Sequence, residues 1–136
     1  MSVTLPPANL GHKVWVFPDG DIPPHDPYDP AAKNCETHGH ESLVALNATS
    51  ETVHPILHVY FSDKEPWRIE LRPIPPRRVA CYRTDEPLGE DRLQIPEGQY
   101  SLVLECDGPV VAQIGRMDIR QPNLAYYTVM GFPITA

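Results

Sequence analysis

Proline constrains the fold of this chain more than any other residue type, because 17 of the 136 residues are proline. A proline has no backbone N–H, and its ring collides with the carbonyl four residues earlier, so it interrupts helices and central strands. The one long window without proline runs over residues 31–54. An all-helical bundle is therefore excluded, and the spacing of the prolines favours short strands joined by turns.

Charge, cysteine content and hydropathy narrow the class of protein. The 11 basic and 18 acidic residues give a formal charge of −7, which argues against a nucleic-acid backbone as the partner. The three cysteines form no CxxC motif and do not suggest a disulfide framework. No apolar stretch approaches the ~20 residues that cross a bilayer, and the first residues lack the features of a signal peptide. We therefore expect a cytoplasmic protein that does not insert into a membrane.

Alternation of apolar and polar residues predicts about eight strands separated by turns. The predicted strands cover residues 13–17, 42–47, 53–61, 67–71, 77–83, 99–105, 110–117 and 124–132. Pro18-Asp19-Gly20 is expected to end the first strand, and Asp107-Gly108 is a typical hairpin signal. The pattern predicts an all-β fold, an antiparallel, jelly-roll-like β-sandwich that forms a single domain over residues 1–136. Residues 1–12 are expected to be an irregular N-terminal segment, and residues 18–40 are expected to form a long loop rich in proline and aspartate.

Metal binding and catalysis find little support in the sequence. Cys35, His38, His40 and Glu41 are four potential metal ligands within seven residues, but their spacing matches no standard zinc motif, and a polar loop entering a strand explains them better. The chain has no GxSxG motif, no Cys-His motif and no phosphate-binding glycine loop. We expect no catalytic residue, no metal and no cofactor, with a histidine or carboxylate general base as the remaining enzymatic option.

The predicted topology brings several charged loops to one end of the sheet. If residues 42–47 and 53–61 pair as a hairpin, residues 40–41 lie beside the polar turn 62–66. A second hairpin between the next two strands adds residues 84–86 to the same end. Charged loops that converge on a rigid scaffold are typical of a polar-ligand site. A solvated turn with surface ion pairs gives the same composition.

A second candidate group lies near the end of the predicted strand 110–117. Arg116, Asp118 and Arg120 share one face if the chain is extended there. Two arginines that flank an aspartate can hold a carboxylate or sugar hydroxyls through charge-assisted hydrogen bonds. The same residues can equally pair with one another or across a subunit boundary, and the sequence leaves both roles open.

Several sequence blocks of this chain have an order and spacing that also occur in one known protein family. They are Gly11-x-x-x-Trp15 with Gly20-x-Ile22-Pro23-Pro24, His40-Glu41-Ser42-Leu43-Val44 with Leu46-Asn47, Tyr60-Phe61-Ser62-Asp63-Lys64-Glu65-Pro66, Pro75-Pro76-Arg77-Arg78, and Pro109-Val110-Val111-Ala112-Gln113-x-x-Arg116-x-Asp118-x-Arg120-Gln121. Through these blocks the chain resembles the sensory rhodopsin transducer family from Gly11 to about Met130. The Ser-Asp-Lys-Glu-Pro turn is the most specific of them.

The resemblance implies a soluble, non-enzymatic, signal-transducer-like β-sandwich that assembles as a homotetramer. It also implies a small polar ligand, such as a sugar, and a membrane receptor as a further partner. The positions that match the family's polar residues, and that we therefore expect to bind the ligand, are His40, Glu41, Asn47, Asp63, Lys64, Glu65, Arg78, Gln113, Arg116, Asp118 and Arg120. Cys35 and His38 have no counterpart in the family pattern, which weakens the metal hypothesis further, and residues 25–37 do not match the pattern either.

Two other hypotheses remain open at this point. In the first, the chain is a pure oligomeric interaction module whose polar residues join subunits while its surface docks a receptor. In the second, it is a metal-dependent sugar-modifying enzyme that uses His38, His40 and Glu41.

Overall fold

The computed structural model describes residues 4, 7–25, 38–120 and 125–135, and eight strands lie in this part of the chain. All of their pairings are antiparallel. The strands are β1 (His12–Ile22), β2 (His40–Asn47), β3 (Pro55–Tyr60), β4 (Trp67–Glu70), β5 (Arg78–Arg83), β6 (Gly98–Asp118), β7 (Ala125–Met130) and β8 (Phe132–Ile134). Among these residues no helix is long and apolar enough to span a membrane.

The strands form two layers that share one strand. The first layer has five strands in the order β4-β3-β6-β1-β8, and the second has four in the order β5-β2-β6-β7. The first half of β6 pairs with β1 and β3, and its second half pairs with β2 and β7. A strand that bends from one sheet into the other makes a corner of a sandwich. The predicted antiparallel β-sandwich is therefore confirmed.

The core lies between the two layers and is built from the inward positions of each strand. Leu102 and Leu104 of β6, Leu57 of β3 and Leu43 of β2 are fully buried. Their sequence neighbours point the other way, because successive side chains of a strand alternate between its faces. Fully burying a leucine side chain stabilises a fold by about 1.5–3 kcal/mol, so this alternation is the main reason the segments pair as they do.

The predicted hairpin at Asp107-Gly108 is wrong, because β6 runs through these residues as one continuous strand. A two-residue hairpin turn of the expected type needs positive φ at both central residues, and neither residue has it. The register with β1 shifts here instead, from Val14↔Glu105 to His12↔Val110. Asp107 accepts hydrogen bonds from the backbone N–H of His54 (2.7 Å) and pairs with its ring (2.8 Å). The dipeptide thus marks a bend, not a reversal of the chain.

The first strand does not end at Pro18, as the sequence predicted, but continues to Ile22. Between Phe17 and Gly20 the register shifts by one residue against β6, which is a β-bulge. A proline is tolerated at a bulge because it donates no ladder hydrogen bond. The predicted loop therefore begins later than residue 18; its residues 26–37 lie outside the described part of the chain.

Two further strand predictions need correction. β2 pairs with β5 and β6, and β3 pairs with β4 and β6, so the expected hairpins 42–47 with 53–61 and 67–71 with 77–83 do not form. The last apolar run divides at Gly131 into β7 and β8, which belong to different layers. A Cβ on Gly131 would lie 2.6 Å from the Phe17 ring, so only glycine allows the chain to pass so closely between the layers.

Candidate functional site

A buried ion pair between Glu41 and Arg116 is the centre of the polar residues that the structure brings together. The two residues are cross-strand partners on β2 and β6, and both side chains point between the layers. They are 0% and 2% exposed. The Arg116 Nε donates to the Glu41 Oε2 at 3.0 Å. A buried charge is strongly destabilising unless it is paired and hydrogen-bonded, so each residue depends on the other.

The remaining capacity of the Glu41 carboxylate is filled by three other donors. Its Oε2 also accepts from the backbone N–H of Asp21 (3.0 Å), and its Oε1 accepts from the Thr84 hydroxyl (2.8 Å). The Tyr100 hydroxyl donates to the same Oε1. Burial, together with the charge of Glu41, raises the pKa of Tyr100 well above its usual value, so this phenol stays protonated as a donor. The carboxylate is therefore a structural junction that joins four segments of the chain.

The Arg116 guanidinium connects this junction to the surface. Its Nη1 donates to the Tyr127 hydroxyl at 2.6 Å, and its Nη2 donates to the Asp19 carbonyl at 2.9 Å. Burial by itself lowers the pKa of Arg116, but the hydrogen bonds to Tyr127 and Glu41 outweigh that effect and raise it. Within the described residues, no buried side-chain nitrogen or oxygen lacks a hydrogen-bond partner. The pair is thus fully satisfied before any ligand arrives.

A second charged pair, Asp118 with Arg120, lies next to the first and nearer to solvent. The Arg120 Nε donates to both carboxylate oxygens of Asp118 (3.0 and 2.9 Å), and its Nη2 bonds Oδ2. This hydrogen bonding lowers the pKa of Asp118. The Arg120 side chain is 47% exposed, and its Nη2 lies 3.7 Å from the Asp21 carboxylate.

These contacts define a partly exposed surface that we call the rim. It consists of Asp19, Asp21, Arg120 and Tyr127, which surround the outer end of the buried Glu41–Arg116 pair. It offers a guanidinium, two carboxylates and a phenol to solvent, a set that can donate and accept hydrogen bonds to a polar molecule. Of the eleven expected ligand-binding residues, Arg120 belongs to the rim, and Glu41, Arg116 and Asp118 are hydrogen-bonded to rim residues.

Other expected residues lie elsewhere on the sandwich. Asn47 is at the opposite end of β2 from Glu41, roughly 20 Å away at the rise of a strand. It is buried, and its Nδ2 donates to the carbonyls of Glu51, Ile74 and Pro75, so it organises the loops at that end. Arg78 is its cross-strand partner and donates to the neighbouring carbonyl. His40 is at the start of β2, where its Nδ1 contacts the carbonyl of His38 at 2.9 Å.

The turn with Asp63, Lys64 and Glu65 joins β3 to β4, and the three side chains are exposed. The Lys64 ammonium lies 4.3 Å from the centre of the Phe61 ring and 4.8 Å from that of Trp67. These cation–π contacts stabilise the hairpin to which Lys64 belongs. The expectation that this turn adjoins Glu41 depended on a β2–β3 hairpin, and that pairing is wrong.

Of the expected residues 84–86, Thr84 and Asp85 contact Glu41, through a different strand pairing from the one expected. β2 and β5 are antiparallel neighbours, so the end of β5 lies beside the start of β2. Thr84 bonds the Glu41 side chain, and the Asp85 Oδ1 accepts from the Glu41 backbone N–H at 3.3 Å. Arg83 holds the Asp85 carboxylate with two hydrogen bonds of 2.7 and 2.6 Å.

Sequence reasoning missed Tyr100, Tyr127, Asp19 and Asp21 as members of the polar network. Tyr100 was assigned only to an apolar strand face, which is where its ring lies, but its hydroxyl reaches Glu41. The signal that could have identified it is the alternation itself, since Tyr100 and Glu41 both occupy inward positions. Buried tyrosine hydroxyls need a partner, and an inward glutamate needs donors.

The described residues include no group of three or more His, Cys, Asp or Glu placed to hold a metal. Cys35, one of the four potential ligands in the sequence, lies outside them. Glu41 has its carboxylate turned into the core. Burial raises the pKa of the Cys106 thiol to about 12, which keeps it protonated at neutral pH.

The outer surfaces of both layers carry exposed apolar side chains. On the four-stranded layer, Leu46 lies in register between Val79 and Val111 across three neighbouring strands. We call this surface the first apolar face; its exposed members are Leu46, Val79, Val111, Tyr126 and Met130. The expected site residue Gln113 lies on it, opposite Met130.

The five-stranded layer has a similar surface along β8. Phe132 and Ile134 are exposed there and lie beside Val16 and Val14 of β1. Val103 of β6 continues this row on the other side of Val16. We call this surface the second apolar face.

Comparison with known proteins identifies relatives over most of the chain. The model of the Anabaena sensory rhodopsin transducer family matches residues 10–133. The crystal structure of Thermotoga maritima 1070 is similar at 29% identity and a TM-score of 0.73, over 92% of this chain and 97% of that one. The Anabaena sensory rhodopsin transducer is similar at 30% identity and a TM-score of 0.62, over 78% and 97%. A comparison with curated proteins finds no match.

Proposed function

Because the chain belongs to the Anabaena sensory rhodopsin transducer family, we propose that it is a non-enzymatic cytoplasmic signal transducer that works by assembling with copies of itself and docking on a protein partner. The observation that carries this proposal is the pair of apolar faces on opposite sides of the sandwich. Contiguous exposed apolar surface on a folded protein marks an interaction site. The charged residues near Glu41, in contrast, already bond one another.

A homotetramer is the assembly that two different apolar faces support best. A face that packs on the same face of a second copy makes a two-fold dimer, and each such contact is closed. Two distinct faces of this kind give a closed tetramer when their two-fold axes meet at right angles. The first apolar face supplies one contact and the second apolar face the other.

Charge substitutions in the two faces test this assembly. We expect Val79→Glu in the first face to halve the mass of the oligomer in solution, because an unpaired charge would be buried in that contact. Phe132→Glu in the second face is expected to halve it as well, and the double variant to be monomeric. Sedimentation equilibrium at matched concentrations gives the masses.

Thr52→Glu, at an exposed loop position outside both faces, is the matched control and should leave the mass unchanged. If Val79→Glu and Phe132→Glu both sediment like the unmodified protein, the faces are not the subunit contacts.

The partner that we propose is a membrane receptor, by analogy with the relative whose name describes a sensory rhodopsin transducer. The cytoplasmic loops of membrane proteins carry an excess of lysine and arginine. The formal charge of −7 on this chain is complementary to such a surface.

A second candidate function, recognition of a small polar ligand such as a sugar, is favoured by the rim. Arg120 is half exposed although it is bonded to Asp118, and Tyr127 is 38% exposed although it is bonded to Arg116. Each of these groups retains hydrogen-bonding capacity on its solvent side. A ligand there would contact Arg120, Asp21 and Tyr127, while Arg116 and Glu41 hold them in place.

Titration with a sugar acid, glucuronate, tests the rim. If the rim binds it, Arg120→Gln should weaken binding by roughly tenfold or more, because a charge-assisted hydrogen bond contributes about 1.5–3 kcal/mol. Arg78→Gln is the matched control, since Arg78 is an exposed arginine at the far end of β2 and β5. If the Arg120→Gln variant binds glucuronate as tightly as the unmodified protein, the rim is not the binding site.

A further inference from the structure

A groove of about 960 Å³ opens between the two layers at the edge opposite the rim. β4 and β5 are the edge strands there, since each pairs with one neighbour. The connection between β5 and β6 forms the facing wall. Buried side chains of Ile69, Leu71 and Leu88 make an apolar floor. This volume lies within the range of small-molecule sites, about 300–1,000 Å³.

The charged side chains on the two walls of the groove differ in whether they have partners within the protein. On the strand side, Arg68 binds Glu70 at 3.0 Å, and Arg72 donates to the Cys81 carbonyl at 2.6 Å while stacking on Tyr82. On the facing wall are Glu90, Asp91 and Arg92. No side chain or backbone group among the described residues pairs with these last three side chains. Because the Arg72 guanidinium also has no acidic partner among the described residues, the charges of the groove that no opposite charge neutralises are two carboxylates and two guanidiniums.

A hydrogen-bonded turn fixes the backbone that carries these three side chains. Leu88 and Leu93 exchange two backbone hydrogen bonds of 2.9 Å, and the Arg92 N–H donates to the Gly89 carbonyl at 3.2 Å. Arg92 has a φ of 53°, a left-handed conformation that is unusual for a residue with a side chain. Gly89 packs on Ile69, where a Cβ would lie 2.8 Å from the Ile69 side chain. The turn is thereby fixed against β4.

These charges suit a molecule that carries both signs of charge better than a simple ion. A pure anion at Arg92 would meet Glu90 and Asp91 on the same turn, and a pure cation would meet Arg92. A molecule that carries both charges a few bonds apart satisfies both kinds of group, because a guanidinium binds a carboxylate bidentately and an ammonium donates to carboxylates. An aliphatic chain on the same molecule would cover the apolar floor.

We propose that this groove binds a free α-amino acid with an aliphatic side chain. Arg92 binds the ligand carboxylate, Glu90 and Asp91 bind its ammonium group, and its side chain packs on Ile69 and Leu88. The site lies at the edge formed by β4 and β5, away from the rim and the apolar faces, so it stands independently of the function proposed above.

Calorimetric titration of the full chain with leucine tests this site. We expect leucine to bind, and we expect N-acetyl-leucine and leucinamide, which each lack one of the two charges, to bind at least roughly tenfold more weakly. Glucuronate, the probe for the rim, should not compete with leucine.

Variants at matched positions decide whether the binding is at this groove. Arg92→Gln should weaken leucine binding by roughly tenfold or more, as should Glu90→Gln combined with Asp91→Asn. Arg77→Gln is the control, because Arg77 is also exposed and has the same φ of 53° but does not line the groove. Absence of leucine binding, or equal binding by the Arg92→Gln and Arg77→Gln variants, would overturn the proposal.

Discussion

Replacing Arg116 with alanine is expected to destabilise the fold by about 3–5 kcal/mol, the usual cost of removing one partner of a buried ion pair. The loss arises because Glu41 remains fully buried with its charge uncompensated. The hydrogen bonds to Tyr127 and to the Asp19 carbonyl disappear as well, so β7 loses its link to the centre of the network and β1 keeps only the bond from the Asp21 N–H to Glu41. Urea unfolding followed by circular dichroism measures the change in the free energy of unfolding.

Two comparison variants make this result specific. Arg116→Met combined with Glu41→Gln removes both charges, and we expect it to lose less stability than Arg116→Ala alone. Arg68→Met breaks the exposed pair with Glu70, whose side chains are 55% and 75% exposed, and should cost no more than about 1 kcal/mol. A loss for Arg116→Ala as small as that for Arg68→Met would mean that the buried pair does not hold the layers together.

The second large effect is expected for Leu104→Ala, with a loss of about 2–5 kcal/mol in the free energy of unfolding. Leu104 is fully buried on the first half of β6, where it is paired in register with Trp15 of β1 and Leu57 of β3. Truncation leaves a cavity at the strand that both layers share, and the neighbours cannot collapse into it without breaking that pairing.

Glu105→Ala is the matched control for this variant, because Glu105 is the next residue along β6 and its side chain is 55% exposed on the outer surface. We expect its loss to stay within about 1 kcal/mol, since it removes a solvent-exposed contact with His58. Equal losses for the two variants would contradict the assignment of inward and outward positions on β6.

Much of the fold was predictable because strand alternation is a local property. The segments 42–47, 67–71 and 77–83 are strands, as predicted, and residues 67–71 show the apolar and charged alternation most clearly. Strand partners were not predictable, because the pairing of β2 with β5 and β6 joins residues far apart in the sequence and depends on packing of the whole core. Pro18 and Asp107-Gly108 misled for a related reason, since a bulge and a bend use the same residues as a turn.

The candidate site was predictable in part, for a comparable reason. The family pattern selected Glu41, Arg116, Asp118 and Arg120, which the fold does bring together. Their burial and their hydrogen bonds to one another could not be predicted, because the residue type alone does not show whether a charged side chain is exposed or is buried and paired. The donors that satisfy Glu41 come from β1, from β6 and from Thr84, the residue after β5, so they become visible only when the layers are assembled.

The apolar faces were not predicted, because in a run of consecutive apolar residues the sequence does not show which side chains point outward. Val79 and Met130 are 64% and 71% exposed, on strands whose inward positions already supply the core. A chain that leaves large apolar side chains on both outer surfaces has more apolar surface than one sandwich can bury, and the association that we propose with other copies would cover it.

The native mass of the unmodified protein shows whether both apolar faces are subunit contacts. Sedimentation equilibrium at micromolar concentration, at neutral pH and moderate salt, is predicted to give four times the mass of one chain, because two distinct apolar faces each make a closed contact. A protein that remains monomeric under these conditions would contradict the account, since both faces would then be exposed to solvent in the working state.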